Sequence, residues 1–161
     1  MKKIFIGGVL VFGGLLTTQA QCRTITSLSE NFDNWKEIDK CWKVDGGEAM
    51  LYHKDGRVLF YSMMNPEEDM GLFTPKVAAG KYSLSLEALN KSGKAVLVIG
   101  NNPDVSNNLA FNTLTESVEI TEGTKEFSIT LTEDSHIAIK VLLTGVHQAV
   151  YLDNVVLKAT R

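Results

Sequence analysis

The sequence predicts an all-β chain: a two-sheet antiparallel β-sandwich of the jelly-roll kind. Three observations carry this. Apolar and polar residues alternate with a period of two along most of the chain, the pattern of strands buried on one face. Turn-forming pairs break the alternation into strands about every 8–12 residues, the spacing of sandwiches and jelly rolls. No stretch carries a long helical period.

The chain opens with "MKKIFIGGVLVFGGLLTTQA": Lys2 and Lys3, an uncharged run from Ile4 to Leu16, then a small and polar stretch to Ala20. A basic start, an apolar middle and a small-residue end make a secretory signal peptide. The apolar run is shorter than the ~20 residues of a membrane span, and no other long apolar run follows. Cys22 raises the rival reading of a lipoprotein signal. Gln21 stands where such signals place a small residue, so cleavage is expected after Ala20. Residues 1–20 are then the leader, and residues 21–161 are one domain, long enough for a real core.

Without Lys2 and Lys3, the 16 basic residues fall to 14 against 19 acidic ones, a net of −5. That balance argues against nucleic acid and anionic lipid as partners, since both call for basic patches. Cys22 and Cys41 are the two cysteines of the chain. In an oxidising compartment they can close a loop. The other reading is a buried thiol at Cys41, beside Trp42, and a free one at Cys22.

Within the domain, "TITSL" is the first candidate strand, and "NFDNWKEIDKCW" has room for one helical turn. "AMLYHK" and "RVLFYSM" flank Asp55-Gly56, a turn pair. "GLFTP" follows. "KYSLSLEAL" sets Tyr82, Leu84, Leu86 and Ala88 against Ser83, Ser85 and Glu87. "AVLVIG" and "SVEIT" bracket the polar stretch "NNPDVSNNLAFN", which reads as an exposed loop. "EFSITLTE" sets Phe127, Ile129 and Leu131 to one face, and "HIAIKVLL" does the same with Ile137, Ile139, Val141 and Leu143. "AVYLDNVVLKAT" closes the chain as a strand with a carboxylate, Asp153, in its middle.

Catalytic signatures are missing. His53, His136 and His147 form no H-x-x-x-H pair, and no Gly-x-Ser-x-Gly elbow, phosphate loop or dinucleotide fingerprint occurs. A two-carboxylate glycosidase needs no fixed spacing, but a sandwich this small leaves little material for a deep cleft. A small hydrolase is therefore the least supported reading, and no enzyme activity is expected.

Binding chemistry is better represented. Asn101, Asn102 and Asp104 in "NNPDVSNN" carry amides and a carboxylate able to read sugar hydroxyls, although the same residues are ordinary turn formers. Trp35 stands among charged residues and is a surface candidate for stacking on a sugar ring. Asp153 poses a parity problem. A regular strand would aim it inward with Tyr151, Val155 and Leu157. Either a β-bulge turns it aside, or it meets a cation together with an acid near the other end of the domain. Two carboxylates sharing a site repel unless a proton or cation lies between them, and Ca²⁺ is the oxygen-seeking ion of secreted proteins.

The order "LSENFDNW", "CW", "LFTPKVAAGKYSLSLEAL", "AVLVIGNNPDVSNN", "FSITLTEDSHIAIKV" and "VYLDNVVL" resembles the carbohydrate-binding-module-like jelly rolls of secreted Bacteroidetes proteins. These include the cleaved-adhesin and choice-of-anchor domains, relatives of the galactose-binding-like fold. The resemblance runs from Ser27 to Leu157. It implies chain ends that lie side by side and a structural Ca²⁺ held by the early Phe-acid pair and the last strand, here Asp33 and Asp153, with Glu30 as an added ligand. Asn31 replaces the usual glycine before the early Phe. No sugar-contacting residue carries over. The expectation is an exported, non-catalytic domain (periplasmic, cell-surface or extracellular) that binds a glycan or another cell-surface component. The alternative is an adhesive module that holds protein, for instance along a free strand edge.

Overall fold

The computed structural model of this chain describes residues 22–34, 41–45, 51–63, 68–105 and 111–161. The expected leader and Trp35 lie outside the described residues, as do residues 35–40 of the stretch expected to hold a helical turn.

Among the described residues twelve strands follow one another: β1 (Ser27–Glu30), β2 (Lys43–Asp45), β3 (Leu51–Lys54), β4 (Arg57–Ser62), β5 (Glu68–Val77), β6 (Gly80–Asn90), β7 (Ala95–Asn102), β8 (Asn112–Thr113), β9 (Val118–Glu119), β10 (Gly123–Leu131), β11 (Ser135–Leu143) and β12 (Gln148–Ala159). They build two antiparallel sheets. The first runs β10-β6-β12-β4-β3 with β1 beside β12; the second runs β2-β5-β11-β7-β8 with β9 beside β7. This is the two-sheet sandwich that the period-two pattern predicts.

The core forms where the two inner faces meet. Leu84, Leu86, Leu152 and Leu157 of the first sheet and Ile137 and Ile139 of the second are fully buried. Each such side chain contributes about 1.5–3 kcal/mol relative to an exposed one. The β3–β4 hairpin turns on Asp55 (φ 55°) and Gly56 (φ 70°). Positive φ at both central residues is the type I′ turn that suits the twist of a two-residue hairpin.

Buried Gln148 shows how a polar side chain inside the sandwich finds partners. It accepts hydrogen bonds from the Thr144 and Gly145 amides at Oε1, both at 3.1 Å, and donates from Nε2 to the Lys94 carbonyl at 2.6 Å. It ties the β11–β12 turn to the start of β7.

The last strand changes neighbours half way along. Residues from Gln148 to Leu152 pair with β4, while Val155, Val156, Leu157 and Lys158 pair with β1. On its other flank β12 runs beside β6 throughout, with one register shift between Asp153 and Val156. Two steps on β6 oppose three on β12, so one extra residue is inserted: a β-bulge. Asn154 supplies the left-handed backbone, at φ 47°. The bulge resets the parity. Tyr151 and Asp153 face outward, whereas Leu152, Val155 and Leu157 are fully buried.

Candidate functional site

Register places the outward residues of four strands in rows on the first sheet. In one row Thr124 of β10 opposes Glu87 of β6, which opposes Asp153 of β12. Arg57, at the start of β4, extends this row, its Nε lying 3.6 Å from Asp153 Oδ2. In the next row Leu89 of β6 opposes Tyr151 of β12, which opposes Leu59 of β4. One step further along, Tyr61 opposes Ala149, and the Tyr61 hydroxyl is hydrogen-bonded to His147 Nδ1 at 3.0 Å.

Residues of the first two rows line a half-open cavity of about 270 Å³. Tyr151 and Leu89 give it an apolar flank, and Glu87, Glu122, Thr124, Arg57 and Asp153 give it hydrogen-bonding groups. A concave site with an apolar face and a few converging polar groups is the usual form of a small-ligand pocket.

Asp153 is the half-buried carboxylate of this site, with 17% of its side chain exposed, whereas Glu87 and Glu122 are exposed. Burial pushes its carboxyl above the usual carboxylate range. The Asn154 amide, hydrogen-bonded to Oδ1 at 2.7 Å, and Arg57 pull the other way, while the negative charges of Glu87 and Asp33 push it up further. Desolvation of the charged form outweighs a guanidinium that is itself 41% exposed.

The residues expected to hold calcium occupy one neighbourhood but do not share one point. Asp33 lies against the β3–β4 turn, where its Oδ1 would meet a Cβ placed on Gly56, and its Oδ2 accepts from the Asn31 side chain at 2.7 Å. Glu30 sits on β1 opposite Val155, and its Oε1 accepts the Phe32 amide at 2.9 Å. Asp153 turns to Arg57 and Asn154. Among the described residues no three acidic, histidine or cysteine side chains gather where one metal ion could reach them. Asp33, Glu30 and Asp153 therefore do not form one group of three carboxylates.

The polar stretch after β7 departs from the expected exposed loop at its start. Asn101 and Asn102 are buried as the last two residues of β7. Asn101 faces the interior and donates to Ser135 Oγ at 3.0 Å; Asn102 Oδ1 accepts the Asp104 amide at 2.8 Å. An asparagine can close a strand as readily as open a turn when a buried hydroxyl awaits its amide. Asp104 is exposed, on the second sheet's side of the molecule and not beside the cavity. Cys22 and Cys41 are bridged by a disulfide, which anchors the segment before β1 beside the buried Trp42. Trp42 in turn packs edge-on against Phe32, ring centres 5.5 Å apart.

Of the cavity's lining, Asp153 was the residue that sequence reasoning singled out. Arg57, Glu87, Leu89, Thr124 and Tyr151 come from four strands widely separated in the chain, and Glu122 from the turn just before β10. The outward alternation of "KYSLSLEAL" marks Glu87 as a surface group, but its cross-strand neighbours depend on the register.

No family model matches the chain, and no curated protein matches it. Among solved structures it is similar to the K1 cleaved-adhesin domain of Lys-gingipain (Kgp) from Porphyromonas gingivalis, with TM-score 0.64 and 19% identity over 84% of this chain and 99% of that one. The K3 cleaved-adhesin domain of the same protein gives 0.60 and 16% identity over 82% and 98%. A substituted form of CBM29-2, a family 29 carbohydrate-binding module, gives 0.52 and 12% identity over 82% and 91%. At these identities the likeness establishes the fold, a jelly roll of the kind found in carbohydrate-binding modules and cleaved-adhesin domains.

Proposed function

We propose that this chain is an exported, non-catalytic binding module that holds carbohydrate in the cavity on the outer face of the first sheet. The observation that carries the reading is the lining itself: the Tyr151 ring and Leu89 offer an apolar face, and Glu87, Glu122, Thr124, Asp153 and Arg57 surround it with donors and acceptors. Sugars present both surfaces, a C–H face for an aromatic ring and hydroxyls for directional hydrogen bonds. Export is supported by the Cys22–Cys41 bridge, since disulfides persist in oxidising compartments, and by the leader-like start of the sequence. The fold shared with the carbohydrate-binding module adds support from architecture alone.

The test is a glycan array probed with wild-type protein and a Tyr151→Ala variant, both checked for folding by circular dichroism. Wild type binds a defined set of glycans, and Tyr151→Ala loses about tenfold or more in affinity, because stacking and buried apolar area go with the ring. A clean negative for wild type overturns the carbohydrate reading and turns the search to the adhesive, protein-binding alternative.

A further inference from the structure

The cavity has a charge imbalance that its own residues leave uncorrected. Asp153 and Glu87 stand directly opposite each other on adjacent strands, an arrangement that is destabilising for like charges. Glu122, from the residue before β10, faces the same space, and Asp33 adds a fourth negative charge beside the β3–β4 turn. Against these stands one guanidinium in the lining, Arg57. Its 3.6 Å approach to Asp153 is longer than a good charge-assisted hydrogen bond. Among the described residues neither Glu87 nor Glu122 has an ion-pair partner. Thr124 and Tyr151 complete the wall without charge.

The carboxylates do not converge as a metal would require. They are spread along a cavity large enough for an organic group, next to a tyrosine ring whose face attracts cations. We propose that the pocket selects a sugar bearing a positive charge, an amino sugar with a free ammonium group seated between Glu87 and Asp153 and its ring against Tyr151. This rests on the carbohydrate reading above and narrows it to one chemical class. An ammonium offers three donors, enough to engage both opposed carboxylates. It also corrects the charge excess that Asp153 and Glu87 impose on each other. A uronate or sulfated sugar would deepen that excess and is rejected.

The experiment is titration calorimetry at pH 6 with matched oligosaccharides: β-1,4-linked glucosamine oligomers, their fully N-acetylated forms, and galacturonate oligomers. A glycan array carrying other free-amine, N-acetylated and acidic sugars is probed alongside. Free-amine forms bind about tenfold or more tighter than their acetylated partners, the scale of one charged hydrogen bond. Raising salt from 50 to 500 mM narrows the gap, and Glu87→Gln, a change at an exposed position, removes most of it. Equal or tighter binding of acetylated or acidic sugars overturns the charge selection and leaves the carbohydrate reading intact. No binding to any sugar in either format overturns both.

Discussion

Asp153 faces out of the sandwich and Val155, two residues along the same strand, is fully buried. In an unbroken strand both would share a face. The extra residue between them is accommodated by Asn154 in the left-handed region, where asparagine and glycine are at ease and β-branched residues are not. Asn154→Gly therefore leaves stability unchanged to within about 0.5 kcal/mol, while Asn154→Val costs about 1–2 kcal/mol. Urea denaturation measures both. A harmless Asn154→Val would mean that the bulge is not held as described.

Asp153 also makes stability depend on pH in a definite direction. Its folded-state carboxyl is raised by burial, with Glu87 and Asp33 adding to the rise. A raised carboxyl means that the folded state binds the proton more tightly than the unfolded chain. Its favourable contribution is complete below the unfolded value, near 3.9, and is lost as pH climbs through the folded one. Asp153→Asn keeps the shape and an oxygen for the Asn154 amide, but removes the charge. The variant's stability relative to wild type is thus greatest near pH 7 and declines toward pH 4. Paired thermal melts across that range check it. The opposite slope would show that Arg57, or a bound cation, outweighs burial.

Calcium has its own measurement. Asp33, Glu30 and Asp153 each have a carboxylate oxygen engaged by a nearby donor, and they do not gather on one point. Adding EGTA to protein purified without chelator is expected to shift the melting midpoint by less than about 1 °C, since [L]/Kd stays small for a site without converging ligands. A fall of several degrees, reversed by added calcium, would establish a site.

How much of this was legible beforehand depended on whether one strand or several had to be read. "KYSLSLEAL", "EFSITLTE" and "HIAIKVLL" each announce their buried faces, because side-chain parity is a local property. Asp153 misleads because parity fails at a bulge, and the residue that permits the bulge is asparagine, a weaker signal than glycine. Asn101 and Asn102 read as turn formers, yet Ser135, a residue far along the chain, keeps Asn101 inside β7. The two-residue strands β8 and β9 are too short to show a period. The cavity is the least legible feature. Its rows exist because β6 lies between β10 and β12, an adjacency that sequence order conceals.

The Cys22–Cys41 bridge closes a loop with a sequence separation of 19. Closing a loop of that size restricts the unfolded chain enough to stabilise the fold by about 3 kcal/mol. It does so where the fold is otherwise lightly held, since β1 has four residues and, among the described residues, pairs with β12 alone, while Ile25 just before it bridges to Val77 of β5. The Cys22→Ser, Cys41→Ser double variant should therefore melt on the order of 10 °C below wild type while keeping the β-sheet circular dichroism of the intact sandwich. Unreduced, denatured wild type should titrate no free thiol with Ellman's reagent. Two thiols per chain would remove the bridge, and an unchanged midpoint in the double variant would show that the backbone pairing of β1 with β12 and of Ile25 with the end of β5 holds this segment without it.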